Sequence, residues 1–264
     1  MIVSLVFFSL TSTAFAELNV DVIVDGLSNP WEIVFAPGGE IYFTERDGRL
    51  WLIEEFGQAK VIETFPKSSS VEGGTLGLAL HPAFEENKKI YIYQTNLELE
   101  FFQNKVFSFI IKDDTLTDKQ IVIDNIPGAP WHDGGRIMFG PDGKLYITTG
   151  DAINPGWSQD LSSLAGKILR INSDGTIPDD NPFDSSPVFS YGHRNPQGIA
   201  WNDNGLLVSS EHGPSGEMGY GHDEINVIVK GKNYGWPKVV GDSSDDSFVN
   251  PIIHSGEQTW APSG

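Results

Sequence analysis

Cysteine is absent from this sequence of 264 residues. Its absence excludes disulfides, and with them metal and redox sites built on cysteine. Basic side chains are also scarce, because 17 lysines and arginines stand against 36 aspartates and glutamates, for a formal net charge of −19. Phosphate backbones are bound by clustered Lys and Arg, so this charge argues against a nucleic-acid partner.

Long apolar runs are missing as well. Residues 2–16 are uncharged, but they are fewer than the roughly 18 apolar residues that a membrane-spanning helix needs. The run ends in Ala14-Phe15-Ala16, the small-x-small pattern of a cleavage site. We therefore predict a signal peptide over residues 1–16, with a buried first strand as the alternative. The mature chain, residues 17–264, is then expected to lack a membrane span and to be secreted, periplasmic or in the cell envelope.

Helical periodicity is weak, whereas 29 glycines and 16 prolines mark many turns. An apolar stretch, a turn and an alternating strand follow one another four times, and the alternating strands align at Ile41, Ile90, Leu145 and Leu206. The steps between them are 49, 55 and 61 residues, from 90 − 41, 145 − 90 and 206 − 145. A period near 50 with about four short strands in each unit is typical of β-propeller blades.

These repeats account for about four blades. Residues 252–264 are predicted to form the first strand of a fifth blade. Because a ring of blades must close to pair its last sheet edge, the sequence is interpreted as a partial propeller domain that lacks later blades.

Polar residues concentrate in loops that precede the repeats. His132 lies in one such loop beside two glycines, and histidine is the side chain that most often serves as a general base. Arg194 lies in another and is one of only five arginines, which favours a clamp on an anionic group. The alternatives are a structural histidine and a buried arginine paired with a carboxylate.

Two further loops, residues 211–214 and 222–226, combine carboxylates with carbonyls and contain no cysteine. Hard oxygen ligands favour Ca²⁺ over zinc, although acidic loops are also common as plain solvated surface. The sequence has no G-x-x-x-x-G-K-[ST], H-E-x-x-H or G-x-S-x-G motif. Support for nucleotide, zinc-protease and serine-hydrolase functions is therefore weak.

Taken in order, these strings resemble the soluble pyrroloquinoline-quinone (PQQ)-dependent sugar dehydrogenases, the glucose/aldose sugar dehydrogenase family. The resemblance extends from Leu27 to Gly264 and rests on residues 29–31, 73–82, 132–136, 192–198, 210–214, 223–226 and 233–237. It implies an all-β fold, a six-bladed β-propeller of four-stranded blades, with PQQ on its upper face.

The resemblance also implies roles for individual residues. His132 would take the proton of the sugar's anomeric hydroxyl while hydride passes to PQQ. Arg194 and Asn195 would hold PQQ, and Glu72 stands where many members have a glutamine that contacts it. The negative charge of Glu72 would repel PQQ unless it is protonated or turned away.

For calcium, the resemblance implies that the backbone carbonyls of Gly213 and Pro214 ligate the Ca²⁺ that polarises PQQ. Glu224 and Tyr234 match positions of another calcium site in some members. The implied function is a PQQ- and Ca²⁺-dependent aldose dehydrogenase that forms a lactone and passes electrons to an external acceptor, as a monomer or homodimer. Two alternatives stay open: a non-catalytic extracellular propeller that binds a carbohydrate or protein, and a calcium-dependent lactonase-like propeller.

Overall fold

The structure is a computed structural model that describes residues 21–54, 58–68, 70–98, 100–214 and 221–263. The predicted signal peptide lies outside these residues. The described chain folds into four sheets of four strands, and each sheet is an antiparallel meander of consecutive strands. This is a β-propeller architecture with four blades.

The blades follow one another along the chain. Blade 1 contains β1 (Pro30–Phe35), β2 (Ile41–Glu45), β3 (Arg49–Ile53) and β4 (Lys60–Thr64). Blade 2 contains β5 (Thr75–Leu80), β6 (Lys89–Glu98), β7 (Phe101–Lys112) and β8 (Thr115–Pro127). Blade 3 contains β9 (Ile137–Phe139), β10 (Leu145–Thr149), β11 (Lys167–Ile171) and β12 (Val188–Tyr191). Blade 4 contains β13 (Pro196–Trp201), β14 (Leu207–Glu211), β15 (Glu224–Ile228) and β16 (Ile253–His254).

Helices in the described residues are short. Helix α1 (Phe84–Asn87) joins β5 to β6, and a 3₁₀ helix (Pro155–Gln159) lies between β10 and β11. No helix within these residues has the length and apolarity needed to cross a membrane.

The predicted repeat is confirmed. The second strands of the four blades begin at Ile41, Lys89, Leu145 and Leu207, which is within one residue of each predicted position. The turn chemistry and the alternation of apolar residues were therefore sufficient to locate every blade.

The core is divided among the blade interfaces. Successive side chains of a strand point to opposite faces of its sheet, so a central blade needs apolar residues on both faces. Strand β6 meets this need, because Ile90 and Ile92 pack against blade 1 whereas Tyr91 and Tyr93 pack against blade 3. A third cluster, which includes Ile168, joins blade 3 to blade 4.

A strand is present near residue 252, as predicted, but the prediction that it begins a fifth blade is wrong. Ile253–His254 pairs antiparallel with Glu224 and Ile225 of β15 and so forms the outermost strand of blade 4. The residues after it return to the propeller centre, where the carbonyl of Ser263 accepts a hydrogen bond from Arg136 at 2.9 Å. The apolar pattern indicated a strand, but the long loop between β15 and this strand gave no sign that the two strands pair.

Blades 1 and 4 each leave one apolar face without a neighbouring sheet among the described residues. Ile33 and Phe35 of blade 1 are 54% and 71% exposed, and Ile253 of blade 4 is 53% exposed. A cavity of about 430 Å³ lies between the two blades and is lined by Ile33 from one and Val208 from the other. The arc of four blades is therefore open on the side where blade 1 faces blade 4.

Candidate active site

Three loops that enter β5, β9 and β13 meet at one end of the propeller. Glu72 is the link, because its Oε2 accepts a hydrogen bond from the backbone N–H of His132 at 2.9 Å and from Nδ2 of Asn195 at 3.3 Å. Oδ1 of Asn195 in turn accepts the N–H of Gly134 at 3.0 Å. The structure thus brings together three residues that lie far apart in the sequence and that the resemblance assigned to one site.

His132 has a backbone φ of 65°, which is uncommon for a residue with a Cβ. Its N–H bonds to Glu72, and its carbonyl accepts the N–H of Ala152 at 3.2 Å. Gly150 passes so close that a Cβ there would lie 1.9 Å from the His132 carbonyl oxygen. The strained conformation is therefore held by contacts on both sides of the peptide, as is common at functional sites.

The side chain of His132 forms a pair with Asp151. Its Nδ1 lies 2.7 Å from Oδ1 of Asp151, a carboxylate that is completely buried. Asp151 also accepts the N–H of Ile153 at 2.9 Å and the indole N–H of Trp236 at 2.8 Å. Because the carboxylate is an acceptor, the imidazole proton lies on Nδ1, and Nε2 keeps its lone pair.

Sequence reasoning missed Asp151. The residue follows directly on Gly150 at the end of β10, 19 positions after His132, and no motif links the two. An aspartate after a buried strand and a glycine was the only available signal.

Arg194 lies beside the same network. Its guanidinium is 5.5 Å from the ring centroid of Trp236, and its NH1 donates to the carbonyl of His212 at 3.2 Å. Burial lowers the pKa of Arg194, although several carboxylates at longer range oppose this effect. Within the described residues, the Arg194 guanidinium forms no ion pair, so the alternative of a structural arginine–carboxylate pair does not hold there.

His132 and Arg194 line one cavity. Its volume is about 420 Å³, and Glu72, Trp131, Asn195 and Pro214 are among the other residues around it. An imidazole, a desolvated cation and an exposed indole therefore face a common space. Ligand sites typically combine such convergent polar groups with an apolar wall.

Gly213 and Pro214 line this cavity beside Arg194. A Cβ on Gly213 would lie 2.1 Å from the carbonyl oxygen of Gly221 and 2.4 Å from that of His222. Backbone oxygens thus crowd around this glycine, and hard oxygen donors suit Ca²⁺. No group of three His, Cys, Asp or Glu side chains in the described part of the chain could hold a metal.

Asp223 holds the Gly213 loop in place. Its carboxylate accepts the N–H groups of Gly213 at 2.9 Å, Trp260 at 2.6 Å and Ala261 at 3.0 Å. Although burial opposes the effect, these donors lower the pKa of Asp223. Its oxygens are therefore committed to the protein backbone.

Glu224 and Tyr234 lie behind this loop. Burial and the neighbouring Glu211 raise the pKa of Glu224 to about 8, and its carboxylate bonds to Nδ2 of Asn226 at 3.1 Å. The hydroxyl of Tyr234 donates to the carbonyl of Val227 at 2.6 Å and accepts the N–H of Val229 at 2.8 Å. The phenol of Tyr234 is thus already engaged.

A second histidine–carboxylate pair lies under Arg194. Nδ1 of His193 is 2.9 Å from Oε2 of Glu211, and its Nε2 is 2.9 Å from the hydroxyl of Ser190. The other oxygen of Glu211 accepts the backbone N–H of Arg194. This pair supports the loop that carries Arg194, and sequence reasoning did not identify it.

The blades and the cavity at one end of the arc define a propeller with an enzyme-like site. The family model for glucose/sorbosone dehydrogenases matches residues 27–264. The chain belongs to this family.

Two curated relatives fit this assignment. Quinoprotein glucose dehydrogenase B of Acinetobacter calcoaceticus is 34% identical over 91% of this chain and 58% of its own length. Aldose sugar dehydrogenase YliI of Escherichia coli is 34% identical over 84% of this chain and 62% of its own length. The chain thus spans about three fifths of the length of each of these relatives.

A solved structure provides the same relation in three dimensions. The PQQ-bound form of aldose sugar dehydrogenase from Streptomyces coelicolor is 36% identical, with a TM-score of 0.83. The match covers 90% of this chain and 71% of the other.

Proposed function

We propose that the protein is a PQQ- and Ca²⁺-dependent aldose dehydrogenase that oxidises the anomeric carbon of a sugar to a lactone. His132 carries this proposal, because it lines the same cavity as Arg194 and is paired with the buried Asp151 behind it. The relatives named above are sugar dehydrogenases, and one of their structures contains PQQ.

His132 is the proposed general base. With its proton on Nδ1 and directed at Asp151, the ring offers Nε2 to the anomeric hydroxyl of a sugar in the cavity. As the C1–H bond breaks, the O1 proton moves to Nε2 and C1 becomes a carbonyl carbon. Bound PQQ supplies the chemistry of accepting the hydride, and an external acceptor takes up the electrons afterwards.

Asp151 contributes by orienting the ring and by stabilising the imidazolium that forms. Its second oxygen is bonded to the indole of Trp236, so the carboxylate cannot rotate away. A buried carboxylate in this position fixes the tautomer, as in other histidine-based sites.

The residues around the cavity fit a polycarboxylate cofactor. Arg194 has no carboxylate partner within the described residues, and a guanidinium binds carboxylates with two hydrogen bonds. Asn195 and Glu72 are bonded to each other and to the loop of His132. We infer that the Oε2 atom of Glu72 is turned toward these two donors and that Arg194 opposes the negative charge of Glu72 toward PQQ.

The proposed Ca²⁺ would be held by the carbonyl oxygens of Gly213 and Pro214. Because Asp223 is committed to three N–H donors, no free carboxylate among the described residues of this loop balances the charge of the ion. The anionic cofactor would supply that balance, so we expect Ca²⁺ and PQQ to bind together. Glu224 and Tyr234 remain candidates for a separate site behind the loop.

We further propose that two more blades complete a ring of six. The exposed faces that carry Phe35 and Ile253 are the surfaces against which these blades would pack. Export, with cleavage after Ala16, is part of the same proposal, as is a monomeric or homodimeric state.

Reconstitution with PQQ and Ca²⁺ tests the proposal through dye reduction with a panel of sugars. We expect turnover with an aldose, and we expect His132→Ala to lower kcat by a factor of about 10² or more while PQQ still binds. If PQQ binds and no sugar is oxidised, the substrate class is wrong. If neither PQQ nor Ca²⁺ binds and a carbohydrate or protein does, the non-catalytic propeller is the better description. Lactone hydrolysis with Ca²⁺ alone would instead favour a lactonase.

A further inference from the structure

The five arginines of this acidic chain divide into two groups. Arg49, Arg136 and Arg170 each form an ion pair with one or more carboxylates. Arg46 and Arg194 form none with any described residue, although the chain contains 36 acidic side chains. Both unpaired arginines line cavities at the same end of the propeller.

The backbone of Arg46 is fixed next to the site. Its N–H donates to the carbonyl of Asn29 at 3.1 Å, and its own carbonyl accepts the N–H of Thr75 at 3.2 Å. Gly74 makes this approach possible, because a Cβ there would lie 2.1 Å from the Arg46 carbonyl oxygen and 2.8 Å from its Cγ. Arg46 therefore enters the site from blade 1, whereas Arg194 enters it from the start of blade 4.

The cavity beside Arg46 has a volume of about 350 Å³ and includes Gln197 and Ser263 in its wall. It adjoins the cavity of His132, because Glu72 and His212 line both. Arg46 and Arg194 thus line two adjoining cavities that share Glu72. Oε2 of Glu72 is bonded to His132 and Asn195, and Glu72 forms no ion pair with either arginine within the described residues.

We propose that Arg46 is a second anion-binding residue of this site, and that the ligand carries at least two acidic groups, one held by Arg46 and one by Arg194. Two arginines without ion pairs in adjoining cavities concentrate positive charge in one region, and an anion that spans both cavities would be stabilised by both. This inference rests on the proposed function in one respect: PQQ, a tricarboxylate, is the ligand of this class that the function requires.

Binding is measured on the full apo chain with PQQ as the probe, in the presence of Ca²⁺, through quenching of tryptophan fluorescence. Trp131 and Trp236 lie close enough to the cavity to report occupancy. We expect Arg46→Gln and Arg194→Gln each to raise the Kd by about tenfold or more, as loss of a charge-assisted pair implies. Raising the salt concentration should weaken binding less in Arg46→Gln than in the wild type, because one charge contact has gone.

Lys60→Gln is the matched control. It removes the same charge from the same blade, but Lys60 is an exposed residue of β4 paired with Glu54 and Asp114. Its Kd should stay within a factor of two of the wild type. An equal loss in Lys60→Gln and Arg46→Gln would show only a general charge effect and would overturn the proposal, as would wild-type binding by Arg46→Gln.

A replacement variant and a replacement probe are used if the first experiment cannot be read. If Arg46→Gln fails to fold by circular dichroism, Arg46→Lys replaces it, and a Kd equal to that of the wild type overturns a bidentate role for Arg46. If the wild type does not bind PQQ, the proposed cofactor is wrong, and benzene-1,3,5-tricarboxylate becomes the probe. Binding that is lost in Arg46→Gln then supports the two-arginine site, whereas no binding to the wild type overturns it.

Discussion

Two of the histidine–carboxylate pairs among the described residues lie at the candidate site, and they have similar local geometry but differ in exposure. His132 and Asp151 are 2.7 Å apart, and His193 and Glu211 are 2.9 Å apart. The side chain of His132 is 16% exposed and lines the cavity, whereas that of His193 is completely buried.

The two pairs differ in the hydrogen-bond partner of Nε2, the second imidazole nitrogen. Nε2 of His193 is bonded to the hydroxyl of Ser190, so this pair has the connectivity of a Ser-His-Glu triad. All three of its members are buried, and a nucleophile without access to substrate performs no catalysis. The pair instead holds the backbone of Arg194 through Glu211. Access, rather than the hydrogen-bond pattern, separates the candidate base from a structural histidine.

Of the variants that test this difference, Asp151→Asn is expected to have the largest effect. The substitution removes the charge that stabilises the imidazolium, and in either orientation the amide NH₂ faces an N–H donor, that of Ile153 or that of Trp236. Both effects weaken His132 as a base. We expect kcat to fall by a factor of about 10² to 10⁴ with little change in the Kd for PQQ. Steady-state kinetics across pH, with a parallel PQQ titration, checks this, and unchanged kcat would contradict the proposed role of Asp151.

Glu211→Gln is the counterpart in the buried pair. One of the two N–H donors, from His193 or Arg194, would then face the amide NH₂ in a buried site. We expect the free energy of unfolding to fall by about 1–3 kcal/mol and the Kd for PQQ to rise, with kcat at saturating PQQ largely retained. Urea unfolding measures the first effect, with the exposed Glu86→Gln as a control expected to stay within about 0.5 kcal/mol. A loss of kcat as large as that of Asp151→Asn would contradict the structural role of the His193–Glu211 pair.

The smallest effect is expected from Asp133, the residue that follows His132, and it concerns how stability depends on pH. Burial raises the pKa of Asp133 to about 6, against the opposing hydrogen bonds from Ala129, Asn104 and Ser70. An acid whose pKa is higher in the folded state binds its proton more tightly there, so stability falls as pH rises from about 4 to about 6 and is then constant. The shift corresponds to at most about 3 kcal/mol.

Asp133→Asn should remove this dependence. Urea unfolding of both proteins at pH 4.5, 5.5, 6.5 and 7.5 compares the slopes. Because burial also raises the pKa of Glu224 to about 8, the test is the difference between the two slopes, and equal slopes would assign the titration to another group. Turnover should change little, because the Asp133 side chain is buried away from the cavity.

The sequence predicted the blades because each blade is local. A turn of Gly, Pro, Asn or Asp between two alternating runs specifies a hairpin with no information from elsewhere, and the four second strands began where predicted. The strand at Ile253 was assigned to the wrong blade because its partner, β15, ends at Ile228 and a long excursion separates them.

The site was predicted in part. His132, Arg194 and Asn195 stood out as polar residues in glycine-rich loops, and the structure brings them to one cavity. Asp151 was missed because its significance comes from contacts with His132 and with Trp236, which lies 85 positions away. Arg46 was missed because an arginine after a strand has no distinguishing pattern, and only its lack of a carboxylate partner among the described residues marks it.

By itself, the sequence determined a chain of four antiparallel blades with polar loops before the inner strands, because turn chemistry and a period of two are properties of neighbouring residues. The tertiary structure alone decided which of the two site histidines lines the cavity and which is buried. It also decided which arginines form no ion pair within the described residues. Those properties depend on burial and on distances between blades, and no local pattern encodes either.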